Sequence, residues 1–429
     1  MKKPELLVPA GNREKLEVAI AYGADAVYFG GREFSLRARA GNFSGRELQS
    51  ALVYCRERRV RAYLAVNLLA RESDFPPLAE FLATLRDLPP DALIVADPGV
   101  IDLCREILPA VPLHLSTQMT TMNRRSAVFW QRQGVKRINL ARELSLPEVI
   151  ACARQLPEIE FEVFIHGAMC MAYSGRCLLS AALTGRSANR GDCAQPCRWS
   201  YSLLEEKRPG EYLGLEEDQR GTYIFNSRDL CLLARLPELS AAGVSALKIE
   251  GRMKSAYYVA VVTRVYRQAL DRLAANSAWS AAELAGWKNE LTRVSHRRYT
   301  EAFFSVTQPE CDFPGKMRND FGWQNYEDSG YQRHWYYLGL VEQLLEYDPS
   351  TDSSRVELKV KERLEVGMEF EVITPEMTDF DSSVRQIWNE SGDELSVAHP
   401  GTRVTARCRG RLARFQILRQ PVAGVEGGT

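Results

Sequence analysis

Leu6-Leu-Val-Pro-Ala-Gly-Asn-Arg-Glu-Lys-Leu-Glu-Val-Ala-Ile-Ala-Tyr-Gly-Ala-Asp-Ala-Val-Tyr-Phe29 contains the plan that most of the chain repeats. The short apolar run Leu6–Pro9 ends in a polar turn, Arg13–Tyr22 carries helical periodicity, Gly23 stops it, and Ala26–Phe29 opens the next run. Outward from this unit the same alternation continues to about residue 275. Its apolar runs are Leu6–Pro9, Ala26–Phe29, Ala62–Val66, Ala92–Ala96, Leu113–Ser116, Arg137–Leu140, Glu160–Ile165 and Ser245–Ile249, with helices such as Gly45–Arg58, Ile101–Leu108 and Arg124–Gln133 between them. Strands joined by helices are parallel, and eight such units predict an α/β fold, a TIM-type (β/α)8 barrel over residues 1–275. An open doubly wound sheet is the second reading.

One unit is abnormal. Residues 167–244 separate the seventh strand from the eighth, far more than a crossover needs, and hold a cysteine cluster. Within this insertion 208–221 reads as a polar loop, Thr222–Phe225 as an extra strand, and Ser227 as the cap of a helix that includes Cys231. Ala281–Val294 reads as a helix inside a helical and irregular linker, 276–334. Over 335–429 the pattern becomes short strands and turns: Leu338–Val341, Val356–Val360, Glu369–Ile373, Val384–Trp388 and Arg403–Ala406. A small antiparallel β-barrel is expected there.

The chain has 429 residues, 45% hydrophobic and 26% charged, with 55 basic against 55 acidic side chains. That composition excludes disorder, and no apolar run has the length of a membrane span, so no membrane partner is expected. Pro9 and Gly11 interrupt the only candidate for a signal peptide, which predicts a cytoplasmic protein whose clustered cysteines bind metal rather than form disulfides. Zero net charge limits any polyanion to a local patch.

Barrel chemistry sits where strands end. Those positions are polar here: Gly30-Gly31, Asn67, Asp97, Gln118, Arg142-Glu143, His166-Gly167 and Glu250-Gly251-Arg252. Arg37 and Arg39, at alternate positions after the second strand, join Arg142 and Arg252 as candidates to bind a di-anion, with Asn67, Gln118 and Lys248 as further substrate contacts. A structural ring of ion pairs is the alternative. His166, Glu143 and Glu250 are the candidate catalytic groups, against a hydrogen-bonded structural role for the histidine.

Cys170, Cys177, Cys193 and Cys197 have the spacing C-x6-C-x15-C-x3-C, whereas Cys55, Cys104 and Cys152 lie in helical patterns and read as packing residues. Four clustered thiols suit tetrahedral zinc or an iron–sulfur cluster. Only the last pair has short knuckle spacing, and a cubane takes each thiolate from its own direction, so a 4Fe-4S cluster is favoured, with Cys231 as an alternative fourth ligand. No Gly-x-Ser-x-Gly elbow, His-Glu-x-x-His helix, Walker-A loop or Gly-x-Gly-x-x-Gly fingerprint is present.

The run Glu162-Val-Phe-Ile-His-Gly-Ala-Met-Cys-Met-Ala-Tyr-Ser-Gly-Arg-Cys-Leu-Leu-Ser180 resembles the signature of the collagenase-like peptidase family of unassigned type. The likeness extends through Pro4–Gly11, Tyr22–Val27, His114-Leu-Ser-Thr-Gln118, Cys197-Arg-Trp199 and Leu247-Lys-Ile-Glu-Gly-Arg252. Within the family, Ala141-Arg-Glu-Leu-Ser-Leu146 and the C-terminal module are most similar to the prephenate-dependent tRNA uridine hydroxylases. The resemblance implies 5-hydroxyuridine formation at the wobble position, prephenate as co-substrate, a 4Fe-4S cluster on the four cysteines, and dependence on iron–sulfur assembly machinery. A thiol or metal peptidase, and a non-catalytic RNA-binding protein with structural zinc, are the alternatives. Prephenate is a dicarboxylate, which gives the four arginines a task. The tRNA anticodon arm would meet Arg186, Arg190, Arg198 and Trp199 beside the cysteines, and the run from Arg403 through Arg407, Arg409, Arg411 and Arg414 to Arg419, which lacks any acidic residue. The bland reading of that run is the solvated face of a strand.

Overall fold

A computed structural model describes residues 3–32, 34–35, 42–170, 172–190, 192–198, 217–218, 221–222, 228–275, 279–305 and 331–422. Seven parallel strands follow in order: β1 (Glu5–Pro9), β2 (Ala26–Gly30), β3 (Arg61–Val66), β4 (Ala92–Val95), β5 (Leu113–Leu115), β6 (Val135–Asn139) and β7 (Glu160–Ala168). The eighth, Ala246–Ile249, pairs parallel with both β7 and β1, which closes the barrel and excludes the open sheet. Helices cover the outside, so the strands are buried on both faces and read as continuous apolar runs. Polar caps start the helices where expected. Asn12 Oδ1 accepts from Lys15 N at 3.0 Å, and Ser44 and Ser145 each form a capping box. Among the described residues no helix is long and apolar enough to cross a membrane.

Four charged residues lie inside the strands and point into the barrel. Glu5, Arg137, Glu162 and Lys248 are all nearly buried and hold one another: Arg137 to Glu5 at 2.6 Å, Lys248 to Glu162 at 2.7 Å, and Arg137 to Glu162 at 3.8 Å. Desolvated charges persist only with such partners. Lys248, expected as a substrate contact, is thus neutralised by Glu162 and packed over the Tyr28 ring.

The last part of the insertion differs from expectation. Gly221–Thr222 is a short strand, 223–227 lie outside the described residues, and Asp229–Cys231 is a strand rather than part of a helix. It runs antiparallel to the long end of β7, with Asp229 opposite Ala168 and Cys231 opposite His166. The ladder left open by β7 beyond the barrel rim takes these three residues, and the helix begins only at Leu236, with Pro237 in its first turn.

The C-terminal module is a closed antiparallel ring in the order Glu369–Ile373, Ile417–Pro421, Trp335–Asp348, Ser353–Val360, Arg403–Arg409 and Phe380–Trp388, which returns to Glu369–Ile373. Its own core includes Val341, Val356, Phe370, Ile387 and Leu418. It docks on the barrel through buried ion pairs. Arg264 reaches Glu290 at 2.5 Å and Asp379 at 2.7 Å, and Arg419 reaches Glu290 at 2.6 Å and Glu371 at 2.8 Å. Tyr22, buried in the first barrel helix, directs its hydroxyl to the carbonyls of Ile373 and Phe415.

Candidate functional site

The carboxyl ends of the strands open into one cavity of about 1090 Å³, roofed on one side by the cysteine insertion and walled on another by the C-terminal module. Barrel topology brings Asn67, Gln118, Asn139, Arg142, Lys248, Glu250 and Arg252 to it. Cys170, Cys177, Cys193 and Cys197 line the same space, and Trp335 and Tyr337 reach it from the first strand of the module.

Close approach fixes the insertion against the barrel. Gly175 has φ +77°, and a Cβ there would stand 2.4 Å from the carbonyl oxygen of Gln118, so only glycine lets the cysteine loop lie on the turn after β5. Ser174 N–H donates to Glu143 at 2.9 Å, and Thr120 Oγ1 donates to the Ser174 carbonyl at 2.8 Å. Glu143 therefore anchors the loop and is not among the cavity-lining residues. Arg142 lies between the two parts: Nη1 donates to the Ala168 carbonyl at 2.9 Å, and the guanidinium stands over Phe164. Burial would lower its pKa, but the Cys170 sulfur, which it also hydrogen-bonds, outweighs this together with Glu143 and Glu250 and leaves it raised. A cation beside Cys170 favours its thiolate.

The other expected site residues divide clearly. Glu250 lines the cavity and accepts from Tyr28 Oη at 3.2 Å. Arg252 lines it too, with Nη2 donating to Asn42 Oδ1 at 2.5 Å and Ser35 Oγ at 3.3 Å. Arg37, Arg39 and Trp199 fall outside the described residues, as do the side chains of Arg190 and Arg198. His166 is placed behind the cavity wall. It packs among Tyr258, Tyr266 and Tyr299, Nδ1 lies 3.3 Å from Tyr266 Oη, and burial pushes its pKa down to about 3. Cys231 faces the same tyrosine at 3.8 Å and is not a lining residue, in contrast with Cys197. Burial raises the Cys231 thiol and lowers the imidazole, the opposite of what a thiolate–imidazolium nucleophile requires.

The basic patches also resolve. Arg186 braces the cysteine loop through Asp192 at 2.9 Å and the Cys193 carbonyl. Arg403 pairs with Glu342, Arg414 with Glu17, and Arg419 is buried in the interdomain ion cluster. The expected stripe thereby shrinks to Arg407, Arg409 and Arg411, because strand alternation turns odd positions outward, Glu342 on the module's own first strand takes Arg403, and contacts outside the module take Arg414 and Arg419.

Sequence reasoning missed Asn139, Trp335 and Tyr337. Asn139 ends β6 and was open to the same strand-end argument; the two aromatics carry no local signal, because only docking of the module brings them to the mouth.

Residues 11–312 match the model of Peptidase family U32, and residues 333–419 that of the Peptidase family U32 C-terminal domain. A tRNA hydroxylation protein of Bacillus subtilis (strain 168) is 38% identical over 400 residues, covering 93% of this chain and 90% of the relative. Another, of Escherichia coli (strain K12), is 35% identical over 441 residues, covering 94% and 92%. A 23S rRNA 5-hydroxycytidine synthase of E. coli is 36% identical over 300 residues, 70% of this chain and 42% of the relative. The barrel, its cysteine-bearing mouth and the C-terminal module thus fall within one pair of family models, and the chain belongs to peptidase family U32.

Proposed function

We propose that this protein is a cytoplasmic RNA-modifying enzyme that hydroxylates the wobble uridine of tRNA to 5-hydroxyuridine, with prephenate as co-substrate and a 4Fe-4S cluster as cofactor. The carrying observation is the cavity itself: four cysteines and a ring of strand-end polar groups face one space, in a chain that resembles tRNA hydroxylation proteins over more than nine tenths of its length. An RNA-hydroxylating relative with a different base target, matched over 300 residues, supports RNA as the substrate class.

The donor set fits a cluster. Four thiols line the same cavity, and Arg142 stands beside Cys170 to balance thiolate charge. When bound, such a cluster supplies one-electron redox chemistry. Cys170, Cys177, Cys193 and Cys197 would hold it, with supply from iron–sulfur assembly machinery. Arg142 and Arg252, with Arg37 and Arg39, would hold the carboxylates of prephenate. Arg407, Arg409 and Arg411 present cations for the phosphates of an anticodon arm, and a base acted on inside the cavity would have to leave its stack.

Nucleoside mass spectrometry of tRNA from a deletion strain tests the reading. Wobble 5-hydroxyuridine and its derivatives should disappear and return with the intact gene but not with Cys170→Ser. Unchanged levels in a strain without a second such enzyme would overturn it.

A further inference from the structure

Two amide side chains at the cavity floor, one in the turn after β5 and one at the end of β6, each leave one buried polar atom without a hydrogen-bond partner among the described residues. Gln118 is 8% exposed and Asn139 3%, and both line the cavity. Gln118 has a fixed orientation, because its Oε1 accepts from Asn67 Nδ2 at 2.7 Å and from Ser116 Oγ at 2.9 Å. The two donors meet on the atom placed as the oxygen, so the amide nitrogen is turned away from them, and it meets no acceptor among the described residues. Asn139 follows Ile138, which pairs with Leu115 across the ladder, so its side chain stands beside the Ser116–Gln118 turn. Its Oδ1 meets no donor. Buried amide groups are almost always paired, and an unpaired donor and acceptor side by side at a cavity wall mark the place of a ligand.

The chemistry of that ligand follows from what surrounds the pair. Lys248, a cation of the floor, is already neutralised by Glu162 at 2.7 Å, so it has no net charge to offer a carboxylate. The pair offers one N–H donor and one carbonyl acceptor, the complement of a neutral planar group that presents an acceptor next to an N–H. The O4 and N3–H edge of uracil has this arrangement. We infer that Gln118 and Asn139 read the hydrogen-bonding edge of the extruded pyrimidine base, Gln118 Nε2 donating to its carbonyl and Asn139 Oδ1 accepting its ring N–H. Gln118 is thereby a base contact rather than a prephenate contact, which leaves the co-substrate to the arginines at the rim. This assignment rests on the RNA-modifying reading above.

Isosteric variants test it. Gln118→Glu keeps the oxygen that Asn67 and Ser116 bind but replaces the N–H donor by an acceptor, and Asn139→Leu removes acceptor and donor together at similar volume. Fluorescence anisotropy under anaerobic conditions compares two hairpin RNAs that differ only in one loop position, uridine or abasic, on the cluster-loaded protein. The phosphate charge of the two RNAs is the same, so the affinity ratio reports the base alone. Wild type should prefer the uridine hairpin by about tenfold, and each variant should reduce the ratio to below about twofold with its visible absorption and melting temperature retained. A ratio that stays near tenfold in both variants, or a wild type that does not distinguish the hairpins, overturns the assignment while leaving RNA as substrate. A wild type that binds neither hairpin overturns the RNA reading itself.

Discussion

The seam between the two domains and the floor of the cavity are both buried and both polar, yet they are built on opposite rules. At the seam, Arg264, Arg293 and Arg419 face Glu290, Glu371 and Asp379, and each charge has an opposite charge within ion-pair distance. At the floor, Gln118 and Asn139 keep amide atoms that no described residue satisfies. Paired charge holds two bodies together and leaves no net charge for a ligand, even where Arg264 Nε there meets no acceptor among the described residues; unsatisfied polarity that also lines a cavity is open to an incoming group that can restore its cost. The difference separates framework from function more sharply than burial or charge alone, since Lys248 and Arg419 would otherwise both look like binding residues.

The largest effects should come from the cavity roof. Changing Cys170, Cys177, Cys193 or Cys197 singly to Ser should abolish stoichiometric iron and sulfide in anaerobically purified protein, while Cys231→Ser should retain them. Iron loss on Cys231→Ser with retention on Cys197→Ser would move the fourth ligand from the cavity to the β7 edge. Next in size is the seam. Arg419→Ala leaves Glu290 and Glu371 short of a cation in a buried site and should cost about 3–5 kcal/mol in chemical denaturation. Burial tends to raise Glu290, and Arg419 and Arg264 more than offset it, so its carboxylate is held below the usual range. A loss below about 1 kcal/mol would show that the seam is solvated and that the contrast with the floor is false.

The barrel is legible because most of its strand residues are buried on both faces and many of its helices have a polar cap, so that pattern and caps agree. The module was legible for the same local reason, although its last strand, Ile417–Pro421, was read as part of a basic run. What could not be read is anything decided by pairing across sequence distance. Glu5, Arg137 and Glu162 look like interruptions of apolar runs until the closed barrel sets them face to face. Arg419 looks like RNA-facing charge until Glu290, 129 residues away, takes it up. Asp229–Cys231 joins a ladder whose partner strand, β7, lies some sixty residues earlier, where the insertion starts. The positions of strand ends were predictable; which of their side chains would be satisfied by one another was not.

His166 tests whether an unpaired atom is by itself a mark of function. Its Nε2 has no partner among the described residues, as at the cavity floor, but the ring is enclosed by tyrosines and does not line the cavity. If function requires both the unsatisfied atom and the cavity, His166→Phe should leave RNA affinity unchanged and cost about 1 kcal/mol at pH 7, the hydrogen bond to Tyr266, whose hydroxyl keeps the Ile165 carbonyl at 2.9 Å. Burial lowers the imidazole pKa from 6.5 to about 3, so between those values the unfolded chain binds a proton that the folded chain refuses. The wild-type protein should therefore lose stability as pH falls below 6.5, by up to about 1.4 kcal/mol per unit from this group, and below about 3 the loss should level off. The variant lacks that dependence, so its deficit at pH 7 should shrink and then reverse on acidification. Denaturation curves of both proteins at pH 7 and pH 5 measure the difference. A deficit that grows toward acid would mean that the folded protein holds His166 protonated, which would place it among the working groups of the site.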